Sequence, residues 1–461
     1  MLESLRNIMV IPDLRKRIIF TFAMLAVYRV GGHIPTPGIN GDAVSQFFQE
    51  NAGTVFGFVD MFTGGAFSQM TIFSLGIMPY ISASIILQLL TVVWPYLKRL
   101  SEEGEVGRKK ITQWTRYGTV LLSIVQAAFI ALYLERMPSA SGLPVVTMHG
   151  WGFRLMTILT LTTGTCFIMW LGEQISERGI GNGISLIIFA GIIVRLPAGL
   201  LDLYQAVAEE RSSIFTVAII MALMIGVIAA IIFVERGQRR IPISYAKRIV
   251  GRRMMGGQGS HLPLRINTGG VIPVIFASSV LMIPGTIGQI FKDVPWIANV
   301  MRALNYHEPL YNLLYFTMII FFCYFYTAII FNPVDVAENM RKHGSFIPGI
   351  RPGKNTADCI DRILSRITFA GAMYLALVAL FPQLLMSGFK VQTIPLIGAR
   401  LDEVLPFWFT HGLGFNFYFG GTSLLIVVGV AMDTVQQIES QLIMRHYDGL
   451  VKGAKIRGRR Y

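Results

Sequence analysis

Apolar runs long enough to cross a lipid bilayer recur along almost all of this 461-residue chain, and nothing else constrains its fold as strongly. They lie near 18–34, 72–95, 113–134, 153–172, 183–201, 214–234, 271–291, 310–331, 367–387 and 418–435. Roughly 20 apolar residues cross the hydrocarbon core as a helix, because lipid offers a backbone amide no hydrogen bond. The pattern predicts about ten spans. Only 14% of residues are charged, against about 25% in a soluble domain. The first run follows Arg15-Lys16-Arg17 but has spanning length and no small-residue cleavage site, so it reads as a span rather than a removable signal.

The net charge of +14 sits in alternate loops. Lys98, Arg99, Arg108, Lys109 and Lys110 follow the second span, Arg236 to Arg265 bracket a basic stretch after the sixth, and Arg341 to Arg366 another after the eighth. The intervening loops 35–60, 137–150, 198–213 and 292–309 are poor in Lys and Arg. Positive loops stay cytoplasmic, which predicts both termini inside. Cys166, Cys323 and Cys359 have no disulfide or metal spacing, and no cofactor or metal is expected.

One phrase occurs twice. Gly76-Ile77-Met78-Pro79-Tyr80-Ile81-Ser82-Ala83-Ser84 reappears as Gly270-Val271-Ile272-Pro273-Val274-Ile275-Phe276-Ala277-Ser278. Gly183-Ile184-Ser185-Leu186-Ile187-Ile188 is matched by Gly421-Thr422-Ser423-Leu424-Leu425-Ile426. The pairs keep their order and join span two to seven and span five to ten. Two five-span halves follow, and an odd number of spans inverts the second. Ile81 with Ile275, and Ile188 with Ile426, then stand at equivalent places. Bulky apolar residues on a common axis form a constriction that water wets poorly; ordinary packing between helices is the plainer reading.

Segment 56–70 is apolar but too short to span, is broken by Gly64-Gly65, and carries Asp60. Such a segment is tolerated at membrane depth only inside protein or lining a cavity. It reads as a re-entrant cap, or as a small movable helix closing a pore from outside. Span interiors hold almost no ionisable residues, which argues against an ion-coupled pump. Glu173 and Asp433 lie at span ends, where an interfacial role is expected. The run Gly349-Ile350-Arg351-Pro352-Gly353-Lys354-Asn355 lacks the spacing of a phosphate-binding loop. No nucleophile–base set stands out, so the chain is not expected to be an enzyme. The basic loops suit an acidic partner such as ribosomal RNA or an acidic protein face, with anionic lipid as the plainer alternative.

Several motifs together resemble the SecY family of bacterial protein-conducting channels: Leu75–Ser84, Val234-Glu235-Arg236-Gly237-Gln238-Arg239-Arg240-Ile241-Pro242, Phe331-Asn332-Pro333, Pro348–Gly353 and Tyr418–Ile426. The resemblance covers essentially the whole chain. It implies an all-α, ten-span clamshell of two inverted five-helix repeats around a central pore, in the bacterial cytoplasmic (inner) membrane. The implied halves are 1–202 and 203–440, with cytoplasmic loops 235–270 and 332–366 and a basic tail 441–461. The implied pore ring is Ile77, Ile81, Ile184, Ile188, Ile275 and Ile426. Segment 56–70, with Phe62, Gly64, Gly65 and Phe67, is the implied plug. Spans two, three, seven and eight are the implied lateral gate, with Ser82, Gln88, Ser278 and Ser279 as its polar residues. Lys247, Arg248, Arg252, Arg253 and Arg351 are the implied docking residues. The implied partners are the small membrane subunits SecE and SecG, the motor ATPase SecA, the ribosome, signal peptides and nascent chains, and anionic lipids. One departure is the outer segment 389–416, which looks longer than in some members. The residues themselves leave two alternatives open: an inverted-repeat transporter of small solutes, and a scaffold that only docks ribosomes.

Overall fold

The computed structural model describes residues 11–50, 57, 60, 62–137, 144–147, 149–209, 214–245, 248–250, 253–255, 260–290, 300, 304, 308–388 and 421–453. Two compact units divide the chain: Met1–Leu201 with Val430–Tyr461, and Asp202–Gly429. Each of the ten apolar runs contains a helix. The first eight helices are α1 (Pro12–Gly31), α2 (Gly41–Glu50), α3 (Met78–Val93), α4 (Pro95–Glu102), α5 (Glu105–Glu135), α6 (Trp151–Arg178), α7 (Gly183–Val194) and α8 (Leu196–Ala208). They are followed by α9 (Ile214–Glu235), α10 (Ile272–Ile290), α11 (Pro309–Ile330), α12 (Pro333–Lys342), α13 (Lys354–Ser387) and α14 (Gly421–Gly453).

Among the described residues, 7 helices are long and apolar enough to cross a membrane, or up to 8 if α3 and α4, bent by 99°, count as one. The expectation of ten exceeds this number by α1 and α10. The cause in α1 is charge: Asp13, Arg15, Lys16 and Arg17 occupy its first turns. In α10 only Ile272–Met282 stands as a shorter apolar helix. The chain is a multi-pass membrane protein, mostly helical.

Helix packing in the first unit follows from side-chain size. Along α5, Thr115, Thr119, Ser123, Ala127 and Ala131 recur every fourth residue and are buried. That spacing puts them on one face, and α5 packs against α3 and α6. Small side chains let backbones approach in lipid, where apolar association alone gains little. The hydroxyls of Thr115 and Thr119 donate to the carbonyls of Ile111 and Thr115, at 3.0 and 2.7 Å, so no polar group is stranded. The opposite face exposes Tyr117 and Leu121. Ala127→Leu should overpack this seam at a cost of about 1–3 kcal/mol. It should lower the thermal midpoint of the detergent-solubilised protein, while Leu121→Ala should not; equal midpoints would refute the seam.

In the second unit, α9 exposes Phe215, Ile219, Ile225 and Phe233. A face that apolar is expected against lipid. The expectation of an all-α chain is corrected outside the spans. Residues 238–265 form β1 (Gln238–Tyr245) and β4 (Ser260–Arg265), with β2 (Arg248–Val250) and β3 (Arg253–Met255) between them. β5 (Ser345–Phe346) adds to β1, giving a three-stranded antiparallel sheet in the order β4-β1-β5. β2 and β3 make a separate two-stranded ladder. The reason is alternation: Ile241 and Ile243 point inward while Arg240 and Pro242 face out, a period of two that suits a half-buried strand. Pro242 and Pro263 also disfavour a helix there.

Candidate functional site

The repeated phrase adopts one local structure twice. Gly76 and Gly270 have φ of +55° and +59°, a left-handed conformation that favours glycine. A helix starts two residues later in each copy, at Met78 and Ile272, with Pro79 and Pro273 in the first turn, where proline is tolerated. The Ile81 amide donates to the Ile77 carbonyl at 3.1 Å, and the Ile275 amide to the Val271 carbonyl at 3.2 Å. The second pair also corresponds. Gly183 and Gly421 each open a helix, and a Cβ there would meet a backbone carbonyl of the preceding long helix: Gly172 in one case, Val378 in the other.

In the first unit, Ile77, Ile81 and Ile188 are buried and Ile184 is half-buried. Asp60 and residues 62–70 pack beside them. A Cβ on Gly76 would meet Thr63 Cγ2 at 2.9 Å, next to Ile77. A Cβ on Gly64 would meet Gly191 Cα at 2.8 Å, one turn beyond Ile188. Phe62 and Phe67 are buried as well. Phe67 and Met70 enter an apolar cluster with Ala43, Val44, Ala131, Leu134, Val145, Val146 and Phe153. Gly64 and the Phe62 carbonyl thus lie at Gly191, one turn beyond Ile188, while Gly65 faces Arg195 and Phe67 enters the separate apolar cluster. Phe56 lies outside the described residues.

In the second unit, Ile275 and Ile426 are buried. A Cβ on Gly429 would meet Val271 Cγ1 at 3.1 Å, so the turn before Ile275 packs against the turn after Ile426. Phe276 holds α10 to α11 through edge-on contacts with Phe322 and Tyr326, at 5.9 and 6.2 Å.

Ser82 is buried on α3. Gln88 Nε2 donates to Ser84 Oγ at 3.4 Å, and Gln88 Oε1 has no partner among the described residues. Ser278 and Ser279 both donate to the Ile275 carbonyl, at 2.9 and 2.8 Å. Their hydroxyls are therefore satisfied within α10.

The basic loops form one surface rather than two. Ile241, Ile243, Leu264, Met340, Ile347 and Ile360 share a small core drawn from both loops, with Ile350 packed against it. Arg351 is exposed beside this core, in a turn where Gly349 and Gly353 have φ of +84° and +107°. Its carbonyl accepts from Thr356 Oγ1 at 2.9 Å. Arg248 and Arg253 lie on the paired β2 and β3, where Arg248 is opposite Met255 and Arg253 opposite Val250. Lys247, Arg252 and segment 389–416 lie outside the described residues.

Sequence reasoning missed the long-range ion pairs among the described residues. Asp60 pairs with Arg195, and Arg116 Nε donates to Glu173 Oε1 at 2.8 Å. Glu173 was expected to be satisfied at a span end, and Arg116 supplies the partner. Isolated charges in apolar runs were the available signal, since charge in a span usually has a partner.

A family model for SecY matches residues 71–435. A Protein translocase subunit SecY of Pseudomonas aeruginosa is 45% identical over 97% of this chain and 95% of its own length. The corresponding Escherichia coli K12 protein is 44% identical over 97% and 96%, and that of Aquifex aeolicus 43% over 98% and 100%. In fold, the chain is similar to a solved protein-conducting channel at TM-score 0.63 and 17% identity, over 93% of each chain. It is also similar to Sec61 in the canine ribosome–channel complex from the endoplasmic reticulum, at TM-score 0.56 and 16% identity over 93% of each. With the repeated phrases built alike and the match running through nearly all of their length, the chain belongs to the SecY family of protein translocase subunits.

Proposed function

We propose that this chain passes secretory polypeptides across the bacterial inner membrane and releases hydrophobic segments sideways into lipid. The observation that carries the reading is the seat of residues 62–70 against Gly76 and Gly191, beside Ile77 and Ile188. A movable segment resting on bulky apolar side chains is what a closed polypeptide pore requires. In this reading ten spans form two inverted halves, 1–202 and 203–440, arranged as a clamshell with both termini cytoplasmic. Ile77, Ile81, Ile184 and Ile188 meet Ile275 and Ile426 in a ring that dewets and blocks ions. Residues 56–70 are the plug.

Ser82, Gln88, Ser278 and Ser279 border the lateral exit. A chain sampling lipid there is sorted by transfer energy: a central Leu favours insertion by about 0.3–0.6 kcal/mol, and Lys or Arg opposes it by about 2.5–3.5 kcal/mol. The chain has no catalytic role; SecA or the ribosome drives transport through the surface around Lys247, Arg248, Arg252, Arg253 and Arg351. SecE and SecG complete the assembly, and anionic lipid surrounds it. Family membership leaves the small-solute transporter without support.

Replacing both Ile81 and Ile275 with Gly should raise resting ion conductance in planar bilayers about tenfold, as a dry constriction becomes wet. Conductance equal to the parent's would remove the ring.

A further inference from the structure

Asp60 is 5% exposed and holds two relationships at once. Its Oδ1 accepts from the Ser68 amide at 2.7 Å, which ties the start of the segment to its middle. Its Oδ2 pairs with Arg195, at the C-terminal end of α7. A second guanidinium arrives from another helix. Arg29, in the last turn of α1, donates through Nη1 to the Gly64 carbonyl at 3.0 Å. A Cβ on neighbouring Gly65 would stand 3.3 Å from Arg195 Nη2. Two cations from α1 and the end of α7 thus stand at adjacent glycines, Arg29 on the Gly64 carbonyl and Arg195 beside Gly65, and the Asp60 carboxylate pairs with the second.

We infer that Asp60, Arg195 and Arg29 form an electrostatic latch that sets how readily residues 62–70 leave their seat. This inference rests on the plug reading above and adds its regulation. Partly buried charges interact more strongly than exposed ones because less water screens them. Moving the segment away separates Asp60 from Arg195 and leaves a guanidinium without its carboxylate at membrane depth, which is costly. The resting seat is favoured accordingly. The apolar contacts of Phe62 and Phe67 hold the segment by shape, and the latch adds an energy barrier that depends on charge.

Asp60 also folds the segment internally, so the test separates that role from the latch. Asp60→Asn keeps an oxygen able to accept from the Ser68 amide but loses the charge. In the full-length chain within its native assembly in planar bilayers, Asp60→Asn and Arg195→Met should each raise resting conductance about tenfold, because each leaves the seated segment without its charged contact. The double variant should add little beyond either single change, as for two residues of one contact. Arg195→Lys should retain most of the seal.

Deletion of residues 62–70 supplies the reference. A leaking deletion with a tight Asp60→Asn, or with fully additive single variants, overturns the latch and leaves the plug reading standing. A deletion as tight as the parent overturns the plug reading and the latch with it.

Discussion

Ile241→Asp is expected to expose two loops far apart in sequence to trypsin at once. Ile241 is 5% exposed in a core that also contains Met340, Ile347 and Ile360. Burying Ile at such a position contributes about 1.5–3 kcal/mol. A carboxylate there forfeits that gain and adds an uncompensated charge, which costs more than the ~1–3 kcal/mol of an unpaired amide or hydroxyl. So small a core has no reserve to absorb the loss. Arg239, Arg240, Arg341 and Lys342 should all become cleavable together, because their loops share one sheet and one core. The apolar spans are unchanged and should still insert. Tyr245→Asp, at an exposed position on the same strand, should leave both loops protected. Cleavage confined to 236–265 under Ile241→Asp would show that the loops fold separately.

Arg351→Glu should reduce ATP-driven transport by at least about tenfold, since reversing an exposed charge in a complementary contact costs affinity and slows association. The chain should still accumulate and insert normally. Arg351 is exposed, so its side chain is not part of the core, and the turn around it is built from backbone: Gly349, Gly353 and the carbonyl that takes the Thr356 hydroxyl. The substitution therefore changes what a partner meets without altering what holds the turn. Arg351→Lys should retain part of the activity, because it keeps the charge and loses the planar fork of donors. Transport at the parental rate in the Glu variant would eliminate Arg351 as a docking residue.

The spans were legible because lipid leaves the backbone few choices, and a long apolar run already implies a helix. The repeat was legible for a similar reason: the left-handed turn at Gly76 and Gly270 favours one residue type, so the phrase carries its geometry in its spelling. The sheet was harder to see. Ile241 and Ile243 alternate over only a few residues, and β5, which completes the sheet, lies about a hundred residues away along the chain. The charged contacts were the least legible. Asp60 and Arg195 are 135 positions apart, and only the path of α7 past the glycines of segment 62–70 brings them together. Of the proposed pore ring, the sequence marked equivalent isoleucines in both halves, and the structure supplies a matching local frame at Gly76 and Gly270, each within its own unit.

The bend of 99° between α3 and α4 has a mechanical consequence. Leu87 before it, Leu97 and Leu100 beyond it, and Ile111 on α5 interlock in one apolar cluster. A Cβ on Gly107 would collide with the Leu100 carbonyl, so α4 and α5 sit backbone to backbone. This elbow is therefore braced rather than hinged. A tilt of α3 would therefore be passed through α4 to α5, because the cluster and the close backbone approach join all three.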